Sequence, residues 1–489
     1  ATLSGERGGW HLALTAKWDN RDSVFLSQFT GSLGALAVIG PETNPFDGTL
    51  AATIPVSQRQ SKSSLSNSQL LFETQGPITD LWAGPLSGRT YMSVSWLDFA
   101  AEDSTGPRSL DRREAAARAG ITVPLTSRQF GFLSRLGESQ LDLDYGAADL
   151  GRFGTLTRRS IALNWQPLPW LRVNALDSRE ERAVAADLIA APLVITPNVP
   201  YLDPVTGRTV DVTTINGGSA DLANEDYRMR SLGLTLTPDK KRAVQLNAEY
   251  VITDTRNQVG ALPMASSAVV RAFPDRFVRD ASDELVTVDN RSINFARQRS
   301  EALRAGLRFT LPIASGGAAA KAKPSGRKTA QPLRLSVAAN HNILLSSKAV
   351  IRAGLPEVDL LAGGAVGIGG GQVRHTTRAS LTLTQGGTGL RLEYDRRGPS
   401  KLITGTPSAP DLLTFDALAT FDLRAFVDLG EMFPKAGLGR GTRLSLVIDN
   451  IVNQRQKVRN NAGEVPQAYQ PVRRDPVGRT VMLELRVAL

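Results

Sequence analysis

The sequence predicts an all-β chain folded as a transmembrane antiparallel β-barrel of about 16 strands, with short periplasmic turns and long extracellular loops. Three observations predict it. Apolar and polar residues alternate with period two along the whole chain, tight connections alternate with long ones, and the last ten residues, "TVMLELRVAL", alternate to the end.

Period two places successive side chains on opposite faces of a strand. Leu303, Ala305, Leu307, Phe309 and Leu311 alternate with Arg304, Gly306, Arg308 and Thr310, and Leu390, Leu392 and Tyr394 with Arg391 and Glu393. On this pattern strands are expected near 9–18, 68–75, 88–98, 113–124, 138–145, 155–165, 170–177, 227–237, 243–253, 299–311, 333–343, 373–384, 388–395, 413–427, 443–450 and 479–489. The segments 19–67, 178–226, 254–298, 344–372 and 451–478 are long, whereas "QPLP" at 166–169, "PDKKR" at 238–242 and "QGG" at 385–387 are turn-like. Long loops confined to one end are a property of outer-membrane barrels. Strand parity then places 178–226, 254–298, 344–372 and 451–478 outside the cell and the tight turns, with Ala1–Gly9 as a further turn, in the periplasm.

A terminal strand needs no cover if it closes a barrel, because closure removes the free edge. Val481, Leu483, Leu485, Val487 and Leu489 would face lipid, and Glu484 and Arg486 the lumen. Trp10, Trp18, Trp96, Trp165 and Trp170 fall at or near expected strand ends, where an amphipathic ring meets the membrane interface.

Composition excludes several other classes. The 489 residues include 44 Gly, 27 Pro and 41% hydrophobic residues, an ordinary folded composition. There is no Cys, which removes disulfides, thiolate metal sites and Cys nucleophiles. The formal net charge is +10, but Lys and Arg are scattered; the one compact basic tract, within 318–332, is Ala/Gly/Pro-rich and reads as a connector, so no nucleic-acid partner is expected. No segment reaches the roughly 20 apolar residues of a membrane helix, and "ATLSGERGGW" carries no signal-peptide pattern.

The ending "VIDNIVNQRQKVRNNAGEVPQAYQPVRRDPVGRTVMLELRVAL" resembles the last hairpin of TonB-dependent outer-membrane receptors. Asn450, Ile451, Val452 and Asn453 stand at its first element, and Tyr469, Gln470, Pro471, Asp475, Pro476, Gly478, Arg479 and Thr480 match the rest. The stretch 191–227 is similar to an outer loop of such receptors at Gly217, Gly218, Leu222 and Glu225, and departs from it at Ser219, Ala220 and Asn224. A third likeness covers 273–309. The resemblance implies a 22-stranded family barrel and an N-terminal plug domain grasped by TonB. Residues 1–489 hold no plug-like segment, so the expectation is one barrel domain whose plug and first strands are truncated, cleaved or carried on another chain. A Leu at 489 also departs from the aromatic residue with which the family usually ends.

No catalytic, cofactor-binding or metal site is read. His11, His341 and His375 lie far apart without ligand spacing, and are expected as solvated or lumen residues. "GGAVGIGGG" at 363–371 lacks the G-x-G-x-x-G spacing, and G-x-S-x-G, Walker A and H-E-x-x-H motifs are absent, so no enzyme is expected. Arg172, Arg304, Arg308, Arg334, Arg391, Arg424, Arg443 and Arg486 share the polar face with Glu249, Glu393, Asp422 and Glu484. They would form either a salt-bridged wall holding a plug or a path favouring anionic solutes and metal chelates. Expected partners are outer-membrane lipid, a plug, the TonB energising system and a small-molecule ligand of unknown identity. The functional expectation is outer-membrane uptake of a scarce solute, such as a siderophore-like metal chelate. A passive pore or one chain of a split barrel is the alternative, and a surface adhesin a weaker third reading.

Overall fold

The computed structural model describes residues 1–487 except 31–55, 104, 204, 207, 239–242, 264–266, 314–331, 365–370, 407–408, 434–440, 467–468 and 476. The expected turn residues 239–242, most of the 318–332 tract and of the glycine run, Pro476 and Leu489 lie outside the described residues.

A single antiparallel sheet makes the wall. Its strands in chain order are β1 Thr2–Arg7, β2 Trp10–Thr30, β3 Val56–Leu81, β4 Gly84–Asp103, β5 Gly106–Thr126, β6 Glu138–Asp149, β7 Thr155–Leu168, β8 Leu171–Arg182, β9 Glu225–Leu236, β10 Val244–Gly260, β11 Ile293–Ile313, β12 Leu333–Val350, β13 His375–Gln385, β14 Thr388–Arg397, β15 Leu418–Asp428, β16 Arg443–Asp449 and β17 Thr480–Arg486. Each pairs antiparallel with the next, and the two-residue strand Val358–Asp359 adds a side pairing on β12. The sixteen expected strands are β2 to β17.

The segment Ala1–Gly9 is a correction. Only Gly8 and Gly9 turn, with φ of 58° and 78°, and Thr2–Arg7 is a strand in register with β2 from Thr2↔Thr15 to Arg7↔Trp10. "TLSGER" hides this because Leu3 is its only apolar residue, so it has no alternation to read. The wall therefore holds seventeen strands among the described residues rather than sixteen. Odd-numbered strands share a direction, so the two edge strands β1 and β17 run the same way. No pairing joins them among the described residues.

Register sorts the side chains by face. Leu232 pairs with Tyr250 and Leu303 with Tyr250 and Ile343, so one apolar face runs across β9 to β12. Ile161, Leu232 and Leu483 on that face are 55%, 52% and 70% exposed. A continuous exposed apolar belt is what a bilayer covers, so this is the outer face. Trp10, Trp82 and Trp170 lie at the short-turn end, and Trp18 and Trp96 share one cross-strand row through Ser68. Eight residues separate Trp10 from Trp18, about 27 Å along a strand, matching a tilted crossing of the band. Contrary to expectation, Trp18 and Trp96 lie inside strands that continue past the band. β2, with 21 residues, has about twice the 9–11 a crossing requires. Above the band both faces meet water, so alternation fades while the ladder continues.

The connections at 183–224, 261–292, 351–374 and 450–479 all leave the same end of the sheet, opposite the turns at 169–170 and 386–387, as parity requires. They carry their own structure. Val194–Leu202, Thr209–Asn216, Phe277–Arg279 and Leu285–Asp289 form a four-stranded sheet, with Thr213–Ile215 parallel to Thr287–Asp289. Val212, Val269, Phe277, Leu285, Val288 and Phe295 are among its buried core. A second small sheet, Ser400–Thr406, Ala409–Phe415 and Val458–Arg459, encloses Leu402, Leu413, Phe415 and Val458.

The first loop sheet is tied by Asp203, whose side chain is 1% exposed. Arg279 donates to both its carboxylate oxygens at 2.9 and 2.7 Å, the Val205 N–H donates at 3.0 Å and the Thr206 hydroxyl at 2.9 Å. Burial pushes this carboxyl up, but those donors outweigh it and bring the pKa from 3.8 to about 2. Because the folded-state value is depressed, its stabilisation is complete above about pH 4 and falls away as pH drops through about 2. Asp203→Asn removes the charge that the half-buried Arg279 meets and leaves it only Asp283, a loss of about 2 kcal/mol. Limited proteolysis should open 194–216 and 277–289 in this variant at neutral pH, with the wall strands intact. In the wild type the same loops should resist to pH 4 and yield to pepsin near pH 2. Equal loop resistance in both proteins would show that this pair does not hold the sheet.

Candidate functional site: the inner wall

The polar face turns a set of charged residues into the space behind the wall. Gln75 pairs with Arg89, Arg89 with Gly120, Gly120 with Asp144 and Asp144 with Ser160, so β3 to β7 bring these side chains into one row. Asp144, 6% exposed, is the hub. Arg89 Nε donates to its Oδ1 at 3.1 Å, Arg118 Nη2 lies 3.1 Å from the same oxygen, and the Ser160 hydroxyl donates to Oδ2 at 3.4 Å. Beside it the Asp142 carboxylate accepts from the Asn164 amide at 2.8 Å and the Thr122 hydroxyl at 2.5 Å. Arg89, Arg118 and Asp144 border a cavity of about 270 Å³ that also takes in His11, Glu73 and Tyr91. A neighbouring cavity of about 520 Å³ is bordered by Glu114, Arg158, Glu180 and Arg182. Arg158 lies 3.0 Å from Glu180, and the Arg182 guanidinium sits 3.8 Å from the Tyr227 ring centroid.

Most of this cluster escapes a reading strand by strand. Arg89, Arg118, Asp142 and Asp144 lie on three strands and converge only once the register is fixed. The signal was their place on the polar face of "RTYMSVSW", "AARAGI" and "LDLDYG".

The eight arginines expected on the inner face are there by register. Arg304 lies 3.4 Å from Glu249, and Arg391 pairs with Glu393. Arg391 also faces Arg424, and Arg443 faces Arg486, while Arg443 stacks on Phe426 at 4.4 Å. Asp422 accepts the Asn450 N–H at 2.7 Å, and Glu484 faces Ser445. Arg172 faces Thr235, Arg308 faces Gln245, and Arg334 faces Thr384. The arrangement can hold a polar body or pass a polar solute, and offers guanidinium pairs to anions.

The histidines divide. His11 borders the inner cavity, as expected of a lumen residue. His341 and His375 share the outer face instead, because His341 pairs with Ala305 and Thr377, and His375 with Ile343. Their rings stack at 5.6 Å, with His375 Nδ1 3.4 Å from His341 Nε2 and Thr377 Oγ1 2.8 Å from His341 Nδ1. Two histidines 34 residues apart meet because a strand pairing joins them.

The stretches that suggested the resemblance have structural work. Gly217 has φ +122°, and a Cβ there would lie 2.3 Å from the Pro192 carbonyl oxygen; one on Gly218 would lie 2.5 Å from that of Ile189. The pair thus locks the short helix Ala186–Ala190 to the base of its loop, where Ala186 and Ala190 pack on Phe99 and Leu110. Glu225 accepts the Val259 N–H at 2.7 Å at the rim. Asn224, a departure from the motif, still bridges, accepting from Val184 N–H at 3.4 Å and donating to the Phe153 carbonyl at 3.1 Å. In the last hairpin Asn450 and Asn453 take φ of 52°. Asn453 Oδ1 accepts the Arg479 N–H at 3.1 Å and would meet any Cβ on Gly478 at 2.5 Å. Asp475 accepts the Gly478 N–H at 2.8 Å, the Thr480 hydroxyl donates to Asp449 at 2.8 Å, and Tyr469 packs edge-on to Phe415 at 5.7 Å. The motif sets the start of β17.

Neither a family model nor a curated protein sequence matches the chain. Solved structures do resemble it. The siderophore receptor PirA from Acinetobacter baumannii aligns at 12% identity and a TM-score of 0.56, covering 98% of this chain and 60% of the receptor. A variant of the ferric enterobactin receptor PfeA from Pseudomonas aeruginosa aligns at 14% and 0.58 over 98% and 60%. The outer membrane transporter YddB from Escherichia coli aligns at 11% and 0.59 over 98% and 61%. The chain thus spans about three fifths of the length of these structures. At such identities the likeness concerns the fold: the seventeen-stranded wall with its long loops at one end has the architecture of the β-barrels of these outer-membrane receptors.

Proposed function

We propose that this chain forms the larger part of the barrel wall of a TonB-dependent uptake receptor in the bacterial outer membrane, taking up a scarce solute of the siderophore-like metal chelate class. The observation that carries this reading is the two-faced wall itself, with its apolar belt, polar inner clusters and structured outer loops, on a fold that aligns over 98% of the chain with siderophore receptors. The inner arginines supply hydrogen-bond donors for an anionic solute or for the plug that would gate it. An energised plug, rather than an enzyme reaction on this wall, would drive release inward.

The wall is completed in this reading by strands and a plug outside these 489 residues, on the same polypeptide or a second one. Support comes from direction: β1 and β17 run the same way, so antiparallel closure takes an odd number of strands between them. Unpaired edges facing lipid are too costly to persist. The chain has no native Cys, so Ser4→Cys with Glu484→Cys gives a clean crosslinking test. In native membranes little direct disulfide is expected between the two edges. Efficient crosslinking would mean a wall closed on itself, and would replace the receptor reading with a passive pore.

The substrate class is tested on iron-limited cells carrying the completed receptor. Uptake of radiolabelled ferric catecholate or hydroxamate chelates should depend on this chain and collapse when the proton-motive force is discharged. Uptake that survives uncoupling would point to passive conduction, and no chelate uptake at all would remove the proposed substrate class.

A further inference from the structure

Two of the three histidines in the chain meet on the outer face, where β13 begins. His341 stands opposite Thr377 and His375 opposite Ile343, so the imidazoles are diagonal neighbours across the β12–β13 pair. Diagonal side chains of a sheet touch when they are long or aromatic. Here His341 Nε2 lies 3.4 Å from His375 Nδ1. That exceeds the roughly 2.7–3.2 Å of an ordinary N–H hydrogen bond, so the rings gain little from each other directly. Zinc holds imidazole nitrogens at about 2.0–2.1 Å, and two of them at a tetrahedral angle stand about 3.3–3.4 Å apart. The pair thus has the spacing of two ligands on one ion.

The surroundings fix the ligating atoms. Thr377 Oγ1 lies 2.8 Å from His341 Nδ1. A hydroxyl that accepts the Nδ1–H leaves the lone pair on Nε2, the atom facing His375; an outer partner sets the tautomer of a metal-bound histidine in this way. His375 then ligates through Nδ1, with its proton on Nε2. The backbone at His375 is held from both sides: the Leu344 N–H donates to the Arg374 carbonyl at 2.8 Å, and the Gly398 N–H to the His375 carbonyl at 2.8 Å. With glycine at 398, no side chain occupies the β14 side of His375. Both histidines are half-buried. No group of three His, Asp or Glu that could hold an ion occurs among the described residues, so water completes the shell.

Height lets an ion reach the pair. His375 ends the outer-face row that runs from Leu232 through Tyr250, Leu303 and Ile343. The next row up already holds Arg230 and Glu301, so the pair sits at the upper margin of the apolar belt. Neighbouring charge narrows the choice of ion. Arg374 turns its guanidinium to the Leu344 and Leu345 carbonyls, at 3.3 and 3.0 Å. Arg396 faces Thr377 from β14, and its charge opposes any cation held by charge alone. Calcium and magnesium, which take oxygen ligands, do not suit such a place. Imidazole nitrogen suits zinc, nickel and copper, with Cu(II) the tightest of the three.

We propose that His341 and His375 form a two-imidazole site for a divalent transition metal, with Thr377 as its positioning residue, and that the ion fastens the start of β13 to β12. The site lies on the outer face, so its ion is separate from any solute passing along the inner wall. The test takes protein extracted from outer membranes and purified without a polyhistidine tag, strips it with chelator and titrates it with Cu(II). The wild type should bind one equivalent on which pulsed EPR counts two imidazoles. H341Q and H375Q should each weaken binding at least tenfold and leave one imidazole. T377V, which keeps both ligands, should weaken it about tenfold with two imidazoles still counted. Saturating Zn(II) should slow hydrogen exchange at 374–377 in the wild type and not in H375Q. A wild-type spectrum with one imidazole or none, or a two-imidazole spectrum that survives in H375Q, overturns the site. Undiminished binding in T377V overturns the role of Thr377, and unchanged exchange with the ion bound overturns the fastening.

Discussion

Everything in this wall depends on one constraint: inside a bilayer a strand's backbone N–H and C=O groups have no partner except another strand. That requirement makes the ladder continuous from β1 to β17, and the ladder then fixes which residues share a face. The effect is visible at the irregularity between Glu301 and Ala302, where Leu345 has no opposite residue. Below it odd-numbered residues of β12 such as Ile343 face outward, and above it even-numbered ones such as Lys348 do. One unpaired residue thus re-aims the upper strand, and sets Lys348 opposite Arg299 where unbroken alternation would have put Ser347.

The same constraint explains what was legible in the sequence. Alternation records two solvents, lipid on one side and water on the other, so the sixteen strands β2 to β17 could be read wherever both are present. It fails where both sides are wet. The upper halves of β2 and β3 carry no period-two pattern of that kind. It fails also at β1, whose "TLSGER" is held by hydrogen bonds to β2 rather than by any apolar face of its own. The inner site was partly legible. Each arginine of the polar face could be placed, but the convergence of Arg89, Arg118 and Asp144 depends on cross-strand register, which no single segment contains.

Motif glycines and asparagines were more informative than their counts suggest, because they mark places where the chain must approach itself. Gly217 and Gly218 stand where any Cβ would enter the backbone at 189–193, and Gly478 stands against Asn453. These are loop positions that anchor a rim, so their resemblance to receptor motifs reflects how such loops are fastened and carries no information on what the loops bind. Ligand identity rests with side chains whose spacing differs from one loop to the next.

Charge has a different relation to stability on this wall than the ladder has. Pairs such as Arg304 with Glu249, or Arg179 with Asp226, lie on faces open to solvent, where an ion pair contributes about 0–1 kcal/mol. The wall would stand without most of them. Their arrangement is therefore free to follow what each face meets, and the two faces differ accordingly. Inside, Asp144 gathers Arg89, Arg118 and Ser160 so completely that its charge is spent on the wall. Outside, at the upper rim of β7 to β12, cations stand opposite cations, as in Arg159 with Arg179 and Arg179 with Arg228. A sheet gains nothing from such neighbours, and the compensation comes from carboxylates one row away, Asp226 for Arg179 and Asp177 for Arg228.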